Sequence, residues 1–351
     1  MNWYLQCGKD SDVVISSRIK FYRNLSGFKF NLKSKKEVET LKNTVKENLY
    51  KVGYDLNFLE LIDMDEITRK SLIEKNIVNK EFVSKNSEDG AILINSDENI
   101  CALLNDEDNL KLQVFSAGFE LTNTLNYAIE IDEKFQETFG YQTNKKYGYL
   151  TADLRNCGTG LRASAILHLP GLVKTGNIEK INSTLRSLSI AIKNEGMDMY
   201  EISNMQTLGL TEHTIIRNLN VVIQKIIEQE REARKFLAKD KNDIEDVIYR
   251  SLGILENCRK IDLKESNSLI SNIKLGTDLG IIKKLSDYKI MKLILYSKPA
   301  NMQKMLGEQY DKLEQDIKRA EVIQNIIREE WYVWHINLLI KLKRLLKLQM
   351  I

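Results

Sequence analysis

Proline, histidine and cysteine are all scarce in this chain of 351 residues. The two prolines, Pro170 and Pro299, leave long stretches without a helix breaker, which favours long helices. The three histidines, His168, His213 and His335, lie far apart, and none pairs with a nearby cysteine. A zinc site needs clustered His, Cys or carboxylate ligands, so metal hydrolysis fits poorly and no protein-held metal is expected. The four cysteines, Cys7, Cys101, Cys157 and Cys258, lack CxxC spacing and read as reduced thiols of a cytoplasmic protein. No run of about 20 uncharged apolar residues is present to span a membrane. Met1 to Lys20 lacks the apolar core of a signal peptide. A dominant charge is missing too: 52 Lys+Arg against 49 Asp+Glu leave +3, which argues against a protein-wide basic surface for nucleic acid. What remains is a foldable composition, 43% hydrophobic and 29% charged, long enough for about two domains.

The first two thirds mix strand and helix patterns. Short β-branched or apolar runs predict strands at 12–19, 90–95, 100–104, 147–154 and 161–169. Ser96-Asp97-Glu98-Asn99 has turn character and predicts a hairpin between the second and third. Helical spacing marks 35–50, 114–135, 178–193 and 211–237. Residues 239–243 read as a charged linker, and beyond them 243–256, 264–279, 286–295 and 308–329 read as helices with no strand signal. The expectation is an α+β domain over 1–238 and a smaller all-α domain over 243–330. The tail 331–351 reads as an amphipathic helix, with Lys341, Lys343, Arg344 and Lys347 among apolar residues. Packing of its apolar side on the second domain is preferred over a membrane-surface role.

Four clusters carry chemistry. In Ser16-Ser17-Arg18-Ile19-Lys20, strand alternation puts Arg18 and Lys20 on one face, where two cations can grip an anion. Alone, the segment reads better as an exposed basic face. Asn105-Asp106-Glu107-Asp108-Asn109 offers three consecutive carboxylates, for a general base or merely a solvated turn. Gly158-Thr159-Gly160 lets backbone N–H groups approach a phosphate, with Arg162 as a forked donor, or makes only a tight turn. No GK[ST] follows, so it is not a Walker A loop. Glu201-Ile202-Ser203-Asn204, leading to Leu208-Gly209, has no intrinsic signature beyond a strand entering a turn.

Taken together, SSRIK at 16–20, NDEDN at 105–109, CGTGLRASAILHLPGL at 157–172, EISNMQTLG at 201–209 and QEREARKFL at 229–237 resemble the guanidino (phosphagen) kinase superfamily. YRSLGILENCRKI at 249–261 and IKLGTDLGII at 273–282 are similar to the C-terminal domain of its bacterial protein-arginine kinase branch. The resemblance implies a catalytic domain built on an antiparallel sheet flanked by helices, followed by a phosphoarginine-binding all-α domain. It implies transfer of the γ-phosphoryl of Mg-ATP to arginine side chains of proteins, a reaction dominated by positioning and charge neutralisation. Arg18, Lys20, Lys111 and Arg162 would then clamp the triphosphate. Ser16, Ser17 and Ile19, with Ala163, Ser164, Ala165 and Ile166 on the strand after Arg162, would shape the nucleotide pocket, and Glu107 would orient and deprotonate the acceptor guanidinium. Asp316 and Arg319, in QDIKRA at 315–320, would capture phosphoarginine. The partners implied are a zinc-containing activator, a heat-shock repressor, a Clp protease system and a second copy of the chain.

Against the family pattern, Lys20 and Lys111 stand for arginines, which keeps charge but loses the bidentate fork. Asn76 and Asn109 stand for histidines, Asp153 for the active-site cysteine and Gln315 for the first arginine of RDxxRA. An RGLYGE-like loop carrying a phosphate-binding arginine is reduced to Lys193-Asn194-Glu195-Gly196. These changes keep a second reading open: a pseudokinase of the same fold that regulates or scaffolds. A small-molecule guanidino kinase fits less well, because the small N-terminal helical domain of those enzymes is missing.

Overall fold

This computed structural model describes residues 2–328. The chain divides into two compact units, one ending at Ile244 and one beginning at Glu245. The tail 331–351 lies outside the described residues.

In the first unit the elements run β1 (Val14–Arg23), α1 (Lys35–Asn48), β2 (Asn57–Glu60), α2 (Glu66–Glu74), α3 (Lys80–Lys85), β3 (Ala91–Ile94), β4 (Ile100–Leu104), β5 (Leu110–Ala117) and α4 (Leu121–Phe139). A two-residue ribbon, β6 (Thr143–Asn144) with β7 (Gly148–Tyr149), precedes β8 (Leu161–His168), α5 (Pro170–Lys174), α6 (Ile178–Ser187), β9 (Ile190–Gly196), β10 (Met199–Asn204) and α7 (Glu212–Leu237). The large sheet is antiparallel throughout, in the order β2-β3-β4-β5-β1-β8-β10-β9. This is the α+β arrangement the sequence implies.

Alternation divides the sheet's two faces. Ile19, Phe21, Leu93, Ala102, Val114, Ala163 and Ile202 pack with α1, α4, α6 and α7 in one large core. The alternate residues Ile92, Ile94, Cys101, Leu103 and Phe115 meet Leu72 of α2 and Phe82 of α3 in a second, smaller core. That second layer covers the β2–β5 half of its face. The β1–β8–β10 half of the same face carries polar side chains instead.

Two buried ion pairs tie helices to this sheet. Arg23 at the end of β1 gives Nη2 to Asp132 of α4 at 2.6 Å and Nη1 to the Thr159 carbonyl at 2.9 Å. Its guanidinium lies 3.6 Å from the centre of the Tyr149 ring. On α7, Glu230 accepts the backbone N–H groups of Gly171 and Leu172 at 2.8 and 2.9 Å, and Arg234 donates back to it at 2.6 Å.

Several boundaries differ from the sequence reading. Residues 114–117 finish β5, so the helix expected over 114–135 starts at Leu121. The helix expected over 178–193 ends at Ser187, Ser189 is left-handed, and Ile190 opens β9. Of 147–154 only Gly148–Tyr149 is strand, and 3-10 geometry follows at Leu154–Asn156. The presumed linker is helical from Lys241, the start of α8 (Lys241–Asn257). The second unit continues with α9 (Leu263–Asp278), α10 (Asp287–Tyr296), α11 (Pro299–Leu306) and α12 (Lys312–Arg328). The helix α11 is one the sequence reading missed, although proline at its first position is a favoured start. No helix among the described residues is long and apolar enough to cross a membrane.

Candidate active site

Strand register builds the site. Arg18 and Lys20 project from β1 on the face opposite Ile19 and Phe21, as period two requires. Across the β1–β8 ladder, Arg18 faces Ser164 and Lys20 faces Arg162. Across β1–β5, Tyr22 faces Lys111. On β10, Ser203 faces Ser164 and Glu201 faces Ile166. Directly opposed side chains of an antiparallel pair stand about 5 Å apart, and like charges placed so destabilise the sheet. The Lys20–Arg162 pair is therefore a feature the fold alone does not reward.

Each cation has a different setting. Arg18 pairs through Nη2 with the Glu201 carboxylate, and its Nη1 and Nε donate to the Asn76 carbonyl at 3.2 Å and to Ser164 Oγ at 3.3 Å. Arg162 is anchored along one edge, with Nε to Asn156 Oδ1 at 2.9 Å and Nη1 to the Asn204 carbonyl at 2.8 Å. Lys20 makes no hydrogen bond or ion pair among the described residues, and burial, followed by the charge of Arg18, lowers its ammonium to about 7. Lys111 pairs with Asp106. Burial raises the Glu201 carboxyl, but the charges of Arg18 and Lys20 outweigh it and hold the group down at about 2.

A cavity of about 250 Å³ is lined by Lys20, Arg162, Ser164, Glu201, Glu107 and Arg155, among others. A second of about 710 Å³ contains Lys111, and the two share Tyr22, Glu107 and Asp153. Both fall within the size range of small-molecule sites, or near its lower edge.

The acidic loop between β4 and β5 sorts its three carboxylates. Asp106 neutralises Lys111. Asp108 is buried, and its Oδ1 accepts Asn24 Nδ2 and the Ala152 N–H, both at 2.6 Å. Burial raises its carboxyl above the ordinary range. Asn109 is also structural: its Oδ1 accepts the Leu25 N–H at 3.0 Å and its Nδ2 donates to the Lys29 carbonyl at 2.9 Å. Glu107 alone of the three acids is exposed and makes no hydrogen bond or ion pair among the described residues, at the wall the two cavities share.

Some candidates fall elsewhere. Ile19, Ala163 and Ala165 point into the large core on the opposite face. Ser17 is buried there too, donating to the Gly118 carbonyl at 2.8 Å and accepting the Glu120 N–H at 2.9 Å, so it pins the β5–α4 connection. These four can border a ligand only through backbone. Ser16 and Ile166 share the Arg18 face but lie beyond the residues that line either cavity. The two glycines answer to packing rather than to a phosphate. A Cβ on Gly160 (φ +62) would lie 2.7 Å from the Tyr22 carbonyl oxygen, and one on Gly158 (φ +100) 2.9 Å from Leu208 Cα.

The shortened segment 193–196 is part of β9 and returns to β10 through Met197 and Asp198, both left-handed. A two-residue turn with positive φ at both positions is the tight hairpin geometry that matches strand twist. It brings no cation to the cavity. Two residues to which the sequence reading gave no role are at the site. Glu201 is one. Arg155 is the other, and it pairs with Asp153 at 2.7 Å with 79% of its side chain exposed. Its hydrogen bonds hold the Asp153 carboxyl below the ordinary range, so the carboxylate in place of the family's cysteine is already matched by a cation.

In the second unit, Arg319 is buried. Its Nε donates to the Ser297 carbonyl at 2.8 Å, and its Nη1 to the Ile261 carbonyl at 2.7 Å and to Asp316 at 2.6 Å. It staples three segments together, and of this pair only Asp316, 23% exposed, reaches the surface. Among the described residues no group of three His, Cys, Asp or Glu could hold a metal ion.

The arrangement is thus a face of cations beside one unengaged carboxylate. Residues 37–233 match the family described as ATP:guanido phosphotransferase, C-terminal catalytic domain, and residues 241–331 match the Protein-arginine kinase McsB C-terminal domain. The chain is 36% identical to a protein-arginine kinase of Bacillus licheniformis, covering 94% of each chain. It is 38% identical to one of Listeria welshimeri, covering 94% of this chain and 97% of the relative. Its fold is similar to that of substrate-free duplicated taurocyamine kinase from Schistosoma mansoni, with TM-score 0.54 and 24% identity over 62% of this chain and 32% of that one. It is likewise similar to lombricine kinase, with TM-score 0.54 and 21% identity over 64% of this chain and 68% of that one.

Proposed function

The chain belongs to the ATP:guanido phosphotransferases, in their protein-arginine kinase branch, and from that premise we propose that it phosphorylates arginine side chains of other proteins with Mg-ATP. Arg18, Lys20 and Arg162 fit a polyphosphate because three cations share one face and two of them oppose each other across a ladder. Lys111, in the adjoining cavity, extends that charge. Magnesium would arrive bound to the nucleotide's phosphates, which supply oxygen ligands.

The observation that carries the reading is the state of Glu107. Among the described residues it is the one acid of its loop without a hydrogen bond or ion pair, and it lines both cavities, one with Lys20 and Arg162 and the other with Lys111. A guanidinium has a pKa above about 12 and is a poor nucleophile until it is oriented and loses a proton. Glu107 does both: its carboxylate holds the acceptor and takes a proton from the attacking nitrogen as the N–P bond forms. The bond from the γ-phosphorus to its bridging oxygen breaks and ADP leaves, its charge matched by Arg18, Lys20 and Arg162. The Arg155–Asp153 pair marks a place at the cavity where a guanidinium is already accommodated. Catalysis belongs to 1–238, and capture of phosphoarginine to 243–330, where Asp316 could meet the guanidinium portion while Arg319 is engaged by backbone carbonyls. The assay is incubation of purified protein with Mg-ATP and an arginine-rich protein, followed by a search for acid-labile phosphoarginine. Absence of product, even with an activating partner, overturns the kinase reading.

A specific observation favours the pseudokinase alternative. Two of the cations, Arg18 and Lys111, are already neutralised by Glu201 and Asp106, and the β9–β10 hairpin adds none. A protein that binds nucleotide yet yields no phosphoarginine is the outcome for that reading.

Nucleotide affinity is expected to depend on pH through Lys20. Its ammonium, at about 7, is surrounded by Arg18, Lys111, Arg162 and Glu201. Below pH 7 the group is charged and attracts phosphate. As pH rises through 7 it becomes neutral, and affinity should fall by up to about tenfold per pH unit, the limit for one linked proton. Lys20→Arg keeps its charge and should flatten the profile. Equal pH profiles for the two proteins in calorimetric titrations with Mg-ATP would reject this assignment.

A further inference from the structure

We infer that Glu201 is a built-in anion that occupies the phosphate cradle when no nucleotide is there, and so sets nucleotide affinity by competition. The inference rests on the proposed phosphate seat at Arg18, Lys20 and Arg162. Three observations converge on it. First, the Glu201 carboxylate is ion-paired to Arg18, with the two side chains only 16% and 13% exposed. Second, it lines the same cavity as Lys20 and Arg162, which face each other across β1 and β8, and as Ser164, which faces Arg18. Third, of the three carboxylates that line this cavity, Glu201, Glu107 and Asp153, Glu201 is the one ion-paired to a cation of the proposed cradle. Arg162 is held by neutral oxygens of Asn156 and Asn204, and Lys20 has no bonded partner among the described residues.

Opposed like charges on neighbouring strands destabilise a sheet, and a nearby anion offsets that repulsion. A carboxylate on β10 supplies it at no cost in association entropy, because it is part of the same sheet. An incoming phosphate asks for the same donors. It must displace the carboxylate from Arg18, and the affinity observed is the intrinsic one reduced by the population in which Glu201 holds the cradle. The competing group is charged, short-tethered and correctly aimed, so the reduction is large. Its neighbour in sequence, Ile202, is buried in the core on the other face and fixes the strand that presents it.

The test compares wild type, Glu201→Gln and Glu201→Asp by calorimetric titration with inorganic tripolyphosphate and with Mg-ATP at pH 7, each protein checked by its melting curve. Glu201→Gln keeps the shape and removes the charge, and should bind both ligands at least about tenfold more tightly. Glu201→Asp keeps the charge and should stay near wild type, which a purely structural role would not predict. Glu201→Gln should also melt earlier without ligand and gain more from tripolyphosphate than wild type does. Unchanged or weaker tripolyphosphate binding in folded Glu201→Gln overturns the inference, while the kinase reading keeps its own assay. Tighter tripolyphosphate binding with unchanged Mg-ATP binding supports the built-in anion and removes the nucleotide reading instead. Should Glu201→Gln not fold, Glu201→Thr, a polar β-branched residue suited to a strand, is read by the same criteria.

Discussion

Glu107→Ala is expected to abolish phosphoarginine formation and leave the melting temperature unchanged. The two halves of that result have separate causes. Proton transfer from a positioned side chain contributes about 10²–10⁴ in rate, and orientation of the acceptor adds to it, so loss of the carboxylate should bring turnover below detection. Stability should not move, because Glu107 is exposed and makes no hydrogen bond among the described residues. The loop is held instead by Asn105, Asp108 and Asn109: the Asn105 N–H bonds to the Asn109 carbonyl at 3.0 Å, and the Asn109 N–H bonds to Asn24 Oδ1 at 3.0 Å. Glu107→Gln separates the roles, since an amide can still orient a guanidinium but cannot take its proton at neutral pH. Full activity in Glu107→Ala would show that the base lies elsewhere.

Arg23→Ala should do the reverse, unfolding the first unit before any question of catalysis arises. Arg23 is 1% exposed and makes bonds to Asp132, to the carbonyls of Tyr22 and Thr159, and to the face of Tyr149. Truncation leaves the Asp132 carboxylate in the core with only Tyr141 Oη, at 3.0 Å, as a side-chain donor. Breaking a buried pair from one side costs about 3–5 kcal/mol, a large fraction of the about 5–15 kcal/mol available to a domain. The loss should be read from urea unfolding of the full chain. Replacing both members, Arg23→Leu with Asp132→Leu, should recover much of it, because no uncompensated charge then remains buried. A single-mutant cost below about 1 kcal/mol would mean that the pair is dispensable.

The sequence made some of this legible and hid the rest, for identifiable reasons. The β3–β4 hairpin was readable because its apolar runs are short and the four residues between them favour turns. The placement of Arg18 and Lys20 on one face needed only the period of a strand. The end of β5 was misread as helix because nearly all of β5 is buried and so has no alternation. The break before β9 was missed because the left-handed residue there, Ser189, is not a glycine. Arg23, three positions beyond Lys20, has the opposite parity and belongs to the core. Gly158 and Gly160 looked like a phosphate loop, but the backbone they must clear is contributed by residues 22 and 207–208. Glu201 gave no signal, since the cation it meets is 183 positions away in the chain. Pairings between distant strands are set by the topology of the sheet, and one segment read alone cannot show them.

Strand β1 gives this molecule an unusual relation to insertions and deletions. Its odd positions, Ile19, Phe21 and Arg23, hold the fold, and its even positions, Arg18, Lys20 and Tyr22, face the site. A gain or loss of a single codon within 17–23, left unabsorbed by a bulge, would exchange the two sets, sending cations into the core and the core arginine into the cavity. A change of two codons would restore the parity and displace the site by one repeat along the strand. Only a bulge, such as the register shift already present between Val14 and Ser16, could absorb an odd step without exchanging the two sets, so at this strand the history of the fold and that of the chemistry are closely tied.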